Sequence, residues 1–380
     1  MSADRLARFE ATLAGLARRS QRRRLIGRAG HDFASNDYLG LAAAPRLQAA
    51  IGEALARGVP VGAAGSRLLR GNDPEHEALE AEAAAFFRSE AALYFGAGYS
   101  ANVALLSALP QRGDLVVYDA LVHASVHEGL RLTKAETVAV PHNDAGAVGD
   151  AIRRWREGGG RGAPWIAAES VYSMDGDRAP VSDLLALAEV HDGFLLLDEA
   201  HATGVLGPTG RGLAEAFEGR EALIATHTCG KALGASGALV TGPRVIVDYL
   251  INRAKPFIYA TAPSPLAAGA VREALRIVDD EPERRDALQR RVAIAKARLE
   301  ALGFAASDTA IQPVILGPNA RAVEAAEALQ AAGFDCRAVR PPTVPEGTAR
   351  LRISLTLNVE EATVSALMDA LAETLTAAAA

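Results

Sequence analysis

A mostly parallel α/β sheet flanked by helices, followed in the chain by a smaller α+β unit, is the fold class this sequence predicts. Three observations predict it. Short apolar runs alternate with helical stretches between residues 75 and 242. The 380 residues suffice for one large domain and a smaller one, each with its own core. Polar residues able to carry chemistry fall just after the apolar runs, and such sheets bind ligands at the carboxyl ends of their strands.

Taken in order, residues 4 to 24 read as a basic amphipathic helix, because Leu6, Phe9, Leu13 and Leu16 fall at helical spacing. An extended piece, His31–Gly40, ends in turn chemistry. Residues 1–40 are thus expected to form an N-terminal segment, 41–279 a large domain and 280–380 a small one. The large domain opens with a helix at 75–88 and a strand at Ala92–Phe95, and another helix starts near Ala101. Further strands are expected at Leu115–Tyr118, Thr137–Val140, Trp165–Ala168, Phe194–Leu197 and Leu223–Thr226. Strands alternating with helices predict a parallel sheet covered on both faces. Gly237–Gly242 follows Thr228 too closely for a crossover helix. This seventh strand should be antiparallel or leave the sheet. The small domain reads as strand Ile311–Leu316, helix Ala320–Ala332, extended loop Ala338–Pro345, strand Leu351–Leu355 and helix Glu360–Leu375. Ala377–Ala380 is expected to fray.

A net charge of −6 implies no general affinity for nucleic acid. The stretch Arg18–Arg24 runs against that balance, and is either a solvated helix end or a site for an anionic substrate arm. Cys229 and Cys336 make neither a disulfide framework nor a metal-ligand spacing, so both are expected reduced and no metal is expected. No N-terminal apolar signal region and no bilayer-length apolar run appear, which makes cytoplasm the expected compartment.

Asp198 closes the apolar run Phe194–Leu197, and Lys231 sits in Thr228-Cys229-Gly230-Lys231. A strand-end carboxylate can keep a pyridine nitrogen protonated, and a loop lysine can form a Schiff base with an aldehyde. Those are the two requirements of pyridoxal 5'-phosphate (PLP). Each residue alone has plainer readings: Asp198 as a metal ligand, cap or ribose contact, Lys231 as surface charge. The turn Gly96-Ala97-Gly98-Tyr99-Ser100 joins a strand to a helix, and its free N–H groups suit a phosphate. It lacks the third glycine of a dinucleotide fingerprint, which counts against NAD. His123 suits stacking on a flat ring or a purely structural hydrogen bond. His201, three residues after Asp198, suits the cofactor's phenolic oxygen.

The combination resembles the α-oxoamine synthases, PLP enzymes of fold type I, over nearly the whole chain. The resemblance rests on Ser35-Asn36-Asp37-Tyr38-Leu39-Gly40, Gly98-Tyr99-Ser100-Ala101-Asn102 and Asp119-x-x-x-His123-Ala124-Ser125. It continues through Glu169-Ser170-Val171-Tyr172-Ser173-Met174-Asp175-Gly176-Asp177, Asp198-Glu199-Ala200-His201 and Thr228-Cys229-Gly230-Lys231. Arg340-Pro341-Pro342-Thr343-Val344-Pro345, followed by Gly347-Thr348-Ala349-Arg350-Leu351-Arg352, is similar to the branch that serves biotin biosynthesis. Two departures stand out: Ile353–Asn358 lacks the small-residue-plus-His ending of that branch, and the link from Arg24 to His31 is short.

The resemblance implies decarboxylative condensation of L-alanine with a pimeloyl thioester, on CoA or an acyl carrier protein, at a homodimer interface. It implies Lys231 as anchor and base, Asp198 on the ring nitrogen and His123 stacked on the ring. Ser170 and His201 would bond the phenolic oxygen. Thr228, Gly98 and Tyr99 would hold the phosphate, and Thr261 would reach the partner's phosphate. Arg352 would fork onto the alanine carboxylate with help from Asn36, and Arg22 would meet the far end of the acyl chain or a carrier phosphate. The rival readings are a glycine C-acetyltransferase or another synthase of the same family, a PLP aminotransferase, and a catalytically dead subunit of the same fold.

Overall fold

In a computed structural model that describes residues 5–377, the chain divides into two compact units. One comprises Leu39–Ser173 and Asp177–Asp286. The other comprises the chain up to Tyr38, Met174–Gly176 and the chain from Ala287 onward. The expected fraying at Ala378–Ala380, and Asp4 at the start of the expected first helix, lie outside the described residues.

The larger unit is built on seven strands: β1 (Ala91–Phe95), β2 (Leu115–Asp119), β3 (Glu136–Val140), β4 (Pro164–Glu169), β5 (Phe194–Asp198), β6 (Leu223–Thr228) and β7 (Ala238–Gly242). Their order is β1–β7–β6–β5–β4–β2–β3. Strands β3, β2, β4, β5 and β6 run parallel, while β7 is antiparallel to both β6 and β1. Only Cys229–Gly237 separates β6 from β7, too little chain for a crossover, so the strand must return antiparallel. Gly237 makes the return possible. Its φ is +94°, and a Cβ there would lie 2.4 Å from the Tyr94 ring.

Both faces of this sheet are covered, which is why its strands read as continuous apolar runs. Side chains alternate between two cores. Trp165, Ala167 and Leu196 pack on one face with α1 (Gly98–Ala108) and with Val247 and Leu250 of helix Arg244–Arg253. Ile166, Ala168, Leu195 and Leu197 pack on the other with Ile152, Leu184 and Leu185 of helices Ala145–Glu157 and Val181–Val190.

In the smaller unit, β8 (Ile311–Gly317) and β9 (Ala349–Ser354) pair antiparallel, and Ala338–Val339 pairs antiparallel with the other edge of β9. His31–Asp32 runs parallel to Phe334–Asp335 and ties the N-terminal segment into this unit. Met174–Gly176 belongs here as well. The Gly176 carbonyl accepts from Ser307 Oγ at 2.7 Å and Thr309 Oγ1 at 2.9 Å, and the Asp175 carboxylate pairs with Arg350.

The first helix is shorter than its periodicity predicts. It spans Ala7–Arg18, and Ser20 takes a left-handed φ of +53°. Continuing it would stack Arg18 on Arg22 and Arg19 on Arg23 at like-charged i,i+4 positions. Its apolar stripe is not buried, since Leu6, Phe9 and Leu13 are all exposed.

Candidate active site

The site grows from the carboxyl ends of neighbouring strands. Glu169 and Asp198 are the last residues of β4 and β5 and lie in register, and Ser170 N–H donates to the Asp198 carbonyl at 2.9 Å. Thr228 ends β6, and Lys231 follows in a loop closed by Gly234 N–H to the Lys231 carbonyl at 2.8 Å. Small residues let this loop lie close to its neighbours. Gly234 has φ +61°, and a Cβ there would lie 2.4 Å from Ala42 N.

A chain of hydrogen bonds fixes the buried Asp198 carboxylate. Asn102 Nδ2 donates to Oδ2 at 2.6 Å and the Ala200 N–H donates to Oδ1 at 2.9 Å. Asn102 also donates to Ser125 Oγ at 3.0 Å, and Ser125 Oγ lies 2.8 Å from His123 Nδ1. The Ser125 N–H donates to the same nitrogen at 3.2 Å, so His123 caps α2 (Ala124–Leu132). An accepting Nδ1 leaves the ring proton on Nε2. Burial pushes the His123 imidazole below its usual range, with Lys231 adding to the effect and Asp198 opposing it. A neutral, flat ring results beside Asp198 and Lys231.

Lys231 Nζ lies 2.9 Å from His201 Nε2. Ser170 Oγ donates to Glu199 Oε2 at 2.6 Å. Glu169 is buried at the strand end. Burial, with Asp198 adding to it and Lys231 opposing, raises its carboxyl to about 8. Its Oε2 accepts the Ser173 N–H at 3.1 Å, while Oε1 is buried with no hydrogen-bond partner. Cys229, next to the anchor loop, is a free thiol that burial pushes far up, so it offers no thiolate.

PLP fits these residues. A Cβ added to Gly98 would lie 2.6 Å from Thr228 Oγ1, so the hydroxyl sits in a cradle that only glycine leaves open. That cradle is at the start of α1, whose first N–H groups have no partner inside the helix. The Lys231 amine, the Asp198 carboxylate and the Gly98–Thr228 cradle, the groups that could hold PLP, therefore all occur in the larger unit.

Of the residues singled out in the sequence, Lys231, Asp198, His123, His201, Ser170, Thr228, Gly98 and Tyr99 all lie on this strand-end edge. Thr261 is exposed in the loop before helix Pro265–Asp280 and makes no hydrogen bond to the cluster. Arg352, Asn36 and Arg22 belong to the smaller unit. There Tyr38 Oη donates to Asn36 Oδ1 at 3.1 Å and lies 3.5 Å from Arg352, whose guanidinium donates to Ser354 Oγ at 2.7 Å. Arg22 lines a pocket of about 580 Å³ with Arg23, Arg24, Arg337 and Arg340. Sequence reading missed Asn102, Ser125, Glu169 and Glu199 as parts of the site. Asn102 carried a signal, being the single strongly polar residue among the buried positions Ala101–Leu106 of α1.

Fold and site together define a PLP-type α/β enzyme. A family model, aminotransferase class I and II, matches residues 30–371, and the chain belongs to that family. Among its relatives is an 8-amino-7-oxononanoate synthase of Anaeromyxobacter dehalogenans, 45% identical over 353 residues, covering 92% of this chain and 87% of the relative. Another, from Chromobacterium violaceum, is 45% identical over 348 residues, covering 90% and 88%. Among solved structures, a serine palmitoyltransferase from S. paucimobilis with a bound PLP–myriocin aldimine aligns with a TM-score of 0.90 at 26% identity, covering 98% of this chain and 99% of that one. An 8-amino-7-oxononanoate synthase from Francisella tularensis aligns with a TM-score of 0.78 at 26% identity, covering 92% and 99%. No helix among the described residues is long and apolar enough to cross a membrane.

Proposed function

We propose that this chain condenses L-alanine with a pimeloyl thioester and releases CO2, in keeping with 45%-identical relatives named as 8-amino-7-oxononanoate synthases. The observation that carries the reading is Lys231 and Asp198 at neighbouring strand ends, beside the Gly98–Thr228 cradle.

Bound PLP supplies an electron sink that stabilises a carbanion at the amino acid's Cα. Lys231 Nζ would hold the cofactor's aldehyde and would serve as the base that takes the Cα proton of alanine. Asp198, oriented by Asn102, holds the proton on the ring nitrogen, and burial makes that ion pair strong. His123 would face the ring. Ser170 and His201 would meet the phenolic oxygen. Thr228 and the Gly98 and Tyr99 amides hold the phosphate. Arg352 clamps the alanine carboxylate in a bidentate fork, with Asn36 assisting. Arg22 receives the anionic end of the acyl substrate, or the phosphate of its CoA or acyl carrier protein.

The working unit is a homodimer in the cytoplasm, with Thr261 reaching the phosphate bound by the partner. Its neighbourhood supports this. Ala262 N–H bonds the Gly65 carbonyl at 2.9 Å and Ser264 Oγ bonds the Val61 carbonyl at 2.6 Å. The two segments so joined expose Val61, Leu68, Leu69 and Tyr259.

The test compares CO2 release from alanine and from glycine with pimeloyl-, acetyl- and succinyl-CoA. Alanine with the pimeloyl thioester should be fastest. Faster turnover of glycine with acetyl-CoA would leave only family membership standing.

A further inference from the structure

Ser170 has one O–H, and it donates that hydrogen to Glu199 Oε2 at 2.6 Å. The Glu199 carboxyl sits in a place made for it. It is wholly buried, and it accepts N–H groups from Ala214 at 2.6 Å and Leu213 at 3.2 Å. Gly212, with φ +106°, clears the space, since a Cβ there would lie 2.6 Å from Glu199 Oε2. A hydroxyl that gives its only hydrogen inward presents lone pairs, not a donor, on its other side. The negative phenolic oxygen that the proposed function places beside Ser170 needs a donor.

Resting on that proposed cofactor geometry, we propose that Glu199 is a positioning residue that sets the direction of the Ser170 hydrogen bond. As a carboxylate, Glu199 holds the Ser170 O–H inward. As a neutral acid, it donates to Ser170 Oγ, and the Ser170 O–H turns outward to donate to the phenolic oxygen. The change takes up one proton from water and alters no bond between heavy atoms.

Burial pushes the Glu199 carboxyl up to about 7, against the Ser170, Ala214 and Leu213 donors and helped by the Asp198 charge, so both forms exist near neutrality. Asp198 is the charged group facing Glu199. Asp198 in turn faces Glu169 and His123, both of which also feel Lys231, and Lys231 contacts His201. A pH profile alone would mix these groups. The test must therefore run through Ser170.

The experiment records the visible absorption band of the PLP-loaded protein against pH for wild type, Glu199→Gln, Ser170→Ala and the double variant, with thermal melts to confirm folding. The amide of Glu199→Gln donates to Ser170 at every pH. Donation to the phenolic oxygen favours the more negative, unprotonated chromophore, so the band should be lost at lower pH, its midpoint moving down by about one pH unit, the scale of one charge-assisted hydrogen bond. In the Ser170→Ala background the Glu199→Gln change should leave the midpoint where it was. Equal shifts in both backgrounds would overturn the proposal, as would no shift in a folded Glu199→Gln protein. Should Glu199→Gln fail to fold, Ser170→Ala decides alone, and an unchanged midpoint in it overturns the proposal. A wild type that forms no visible band with PLP would overturn the cofactor reading itself, and this inference with it.

Discussion

At the scale of single residues, the strand-end rule was the productive guide. Asp198, Ser170 and Thr228 announce themselves because each ends or follows an apolar run, and the backbone then carries them to one edge. Asn102 is marked only as a polar residue in an apolar helix, and Glu199 not at all, because their partners Asp198 and Ser170 are distant in sequence and only the fold brings them together. Two substitutions separate anchor from support. Lys231→Ala should keep the fold and bind PLP through the phosphate cradle without the visible band. Its turnover should fall by roughly three orders of magnitude or more, the scale expected for losing a covalent anchor that is also the base. Near-normal turnover with the band intact would refute the assignment. Asn102→Ala should be milder. It removes one donor from the Asp198 carboxylate, so PLP affinity should fall about 10-fold, near 1.5 kcal/mol. An unchanged dissociation constant in equilibrium dialysis would show that Asn102 does not support the carboxylate.

At the scale of elements, the sheet was readable almost strand by strand, because fully buried parallel strands leave continuous apolar runs and the short Cys229–Gly237 link dictates an antiparallel return. The first helix was over-read, since apolar spacing says nothing about the like-charged stacking that ends it at Arg18. Helix Pro265–Asp280 went unread although proline at its first position is a start signal. The loops that hold elements together escape periodicity altogether. His142, just after β3, is one example. Its ring nitrogens lie 2.9 Å from Asp119 Oδ1 and 2.7 Å from Asp177 Oδ2. Burial pushes the imidazole down, but the two carboxylates outweigh it and raise it to about 10. Asp119 also accepts the Leu121 N–H at 2.8 Å, so the charged pair steadies the turn that leads to His123. A raised pKa stabilises the fold fully below the ordinary histidine value, and that contribution fades as pH climbs towards 10. His142→Gln should therefore cost about 1–2 kcal/mol at pH 6, allowing for partial solvent screening, and much less at pH 10. Denaturant melts at the two pH values measure the difference, and an equal cost at both would refute the charged pair.

At the scale of the whole molecule, the alternation of apolar runs with helical stretches led to an α/β fold, but it carried no information about what covers the surface. The apolar residues Leu68, Leu69 and Tyr259 look like ordinary core positions in the sequence, yet Leu69 is 86% and Tyr259 80% exposed. Hydrogen bonds at Ala262 N–H to Gly65 and Ser264 Oγ to Val61 join the two segments that carry these side chains. Such apolar exposure on a single chain calls for a partner, and an isologous contact with a second copy satisfies it without any other protein. Thr261 lies in the segment between Tyr259 and Ala262, so a surface there that assembled the proposed dimer would also deliver the hydroxyl proposed for the partner's phosphate. Assembly and cofactor affinity should then fail together. In a Leu69→Asp, Tyr259→Asp double variant, each copy loses two exposed apolar side chains and the proposed symmetric dimer would lose four anchors. At about 1.5 kcal/mol each, the loss is about 6 kcal/mol, or roughly four orders of magnitude in the dimer's Kd. Sedimentation at micromolar protein should show a monomer that keeps its fold but binds PLP more weakly than wild type. Thr261→Ala should weaken PLP binding while the protein still sediments as a dimer. A double variant that sediments as wild type does, or a wild type that is monomeric and fully active, would sink the shared-site reading.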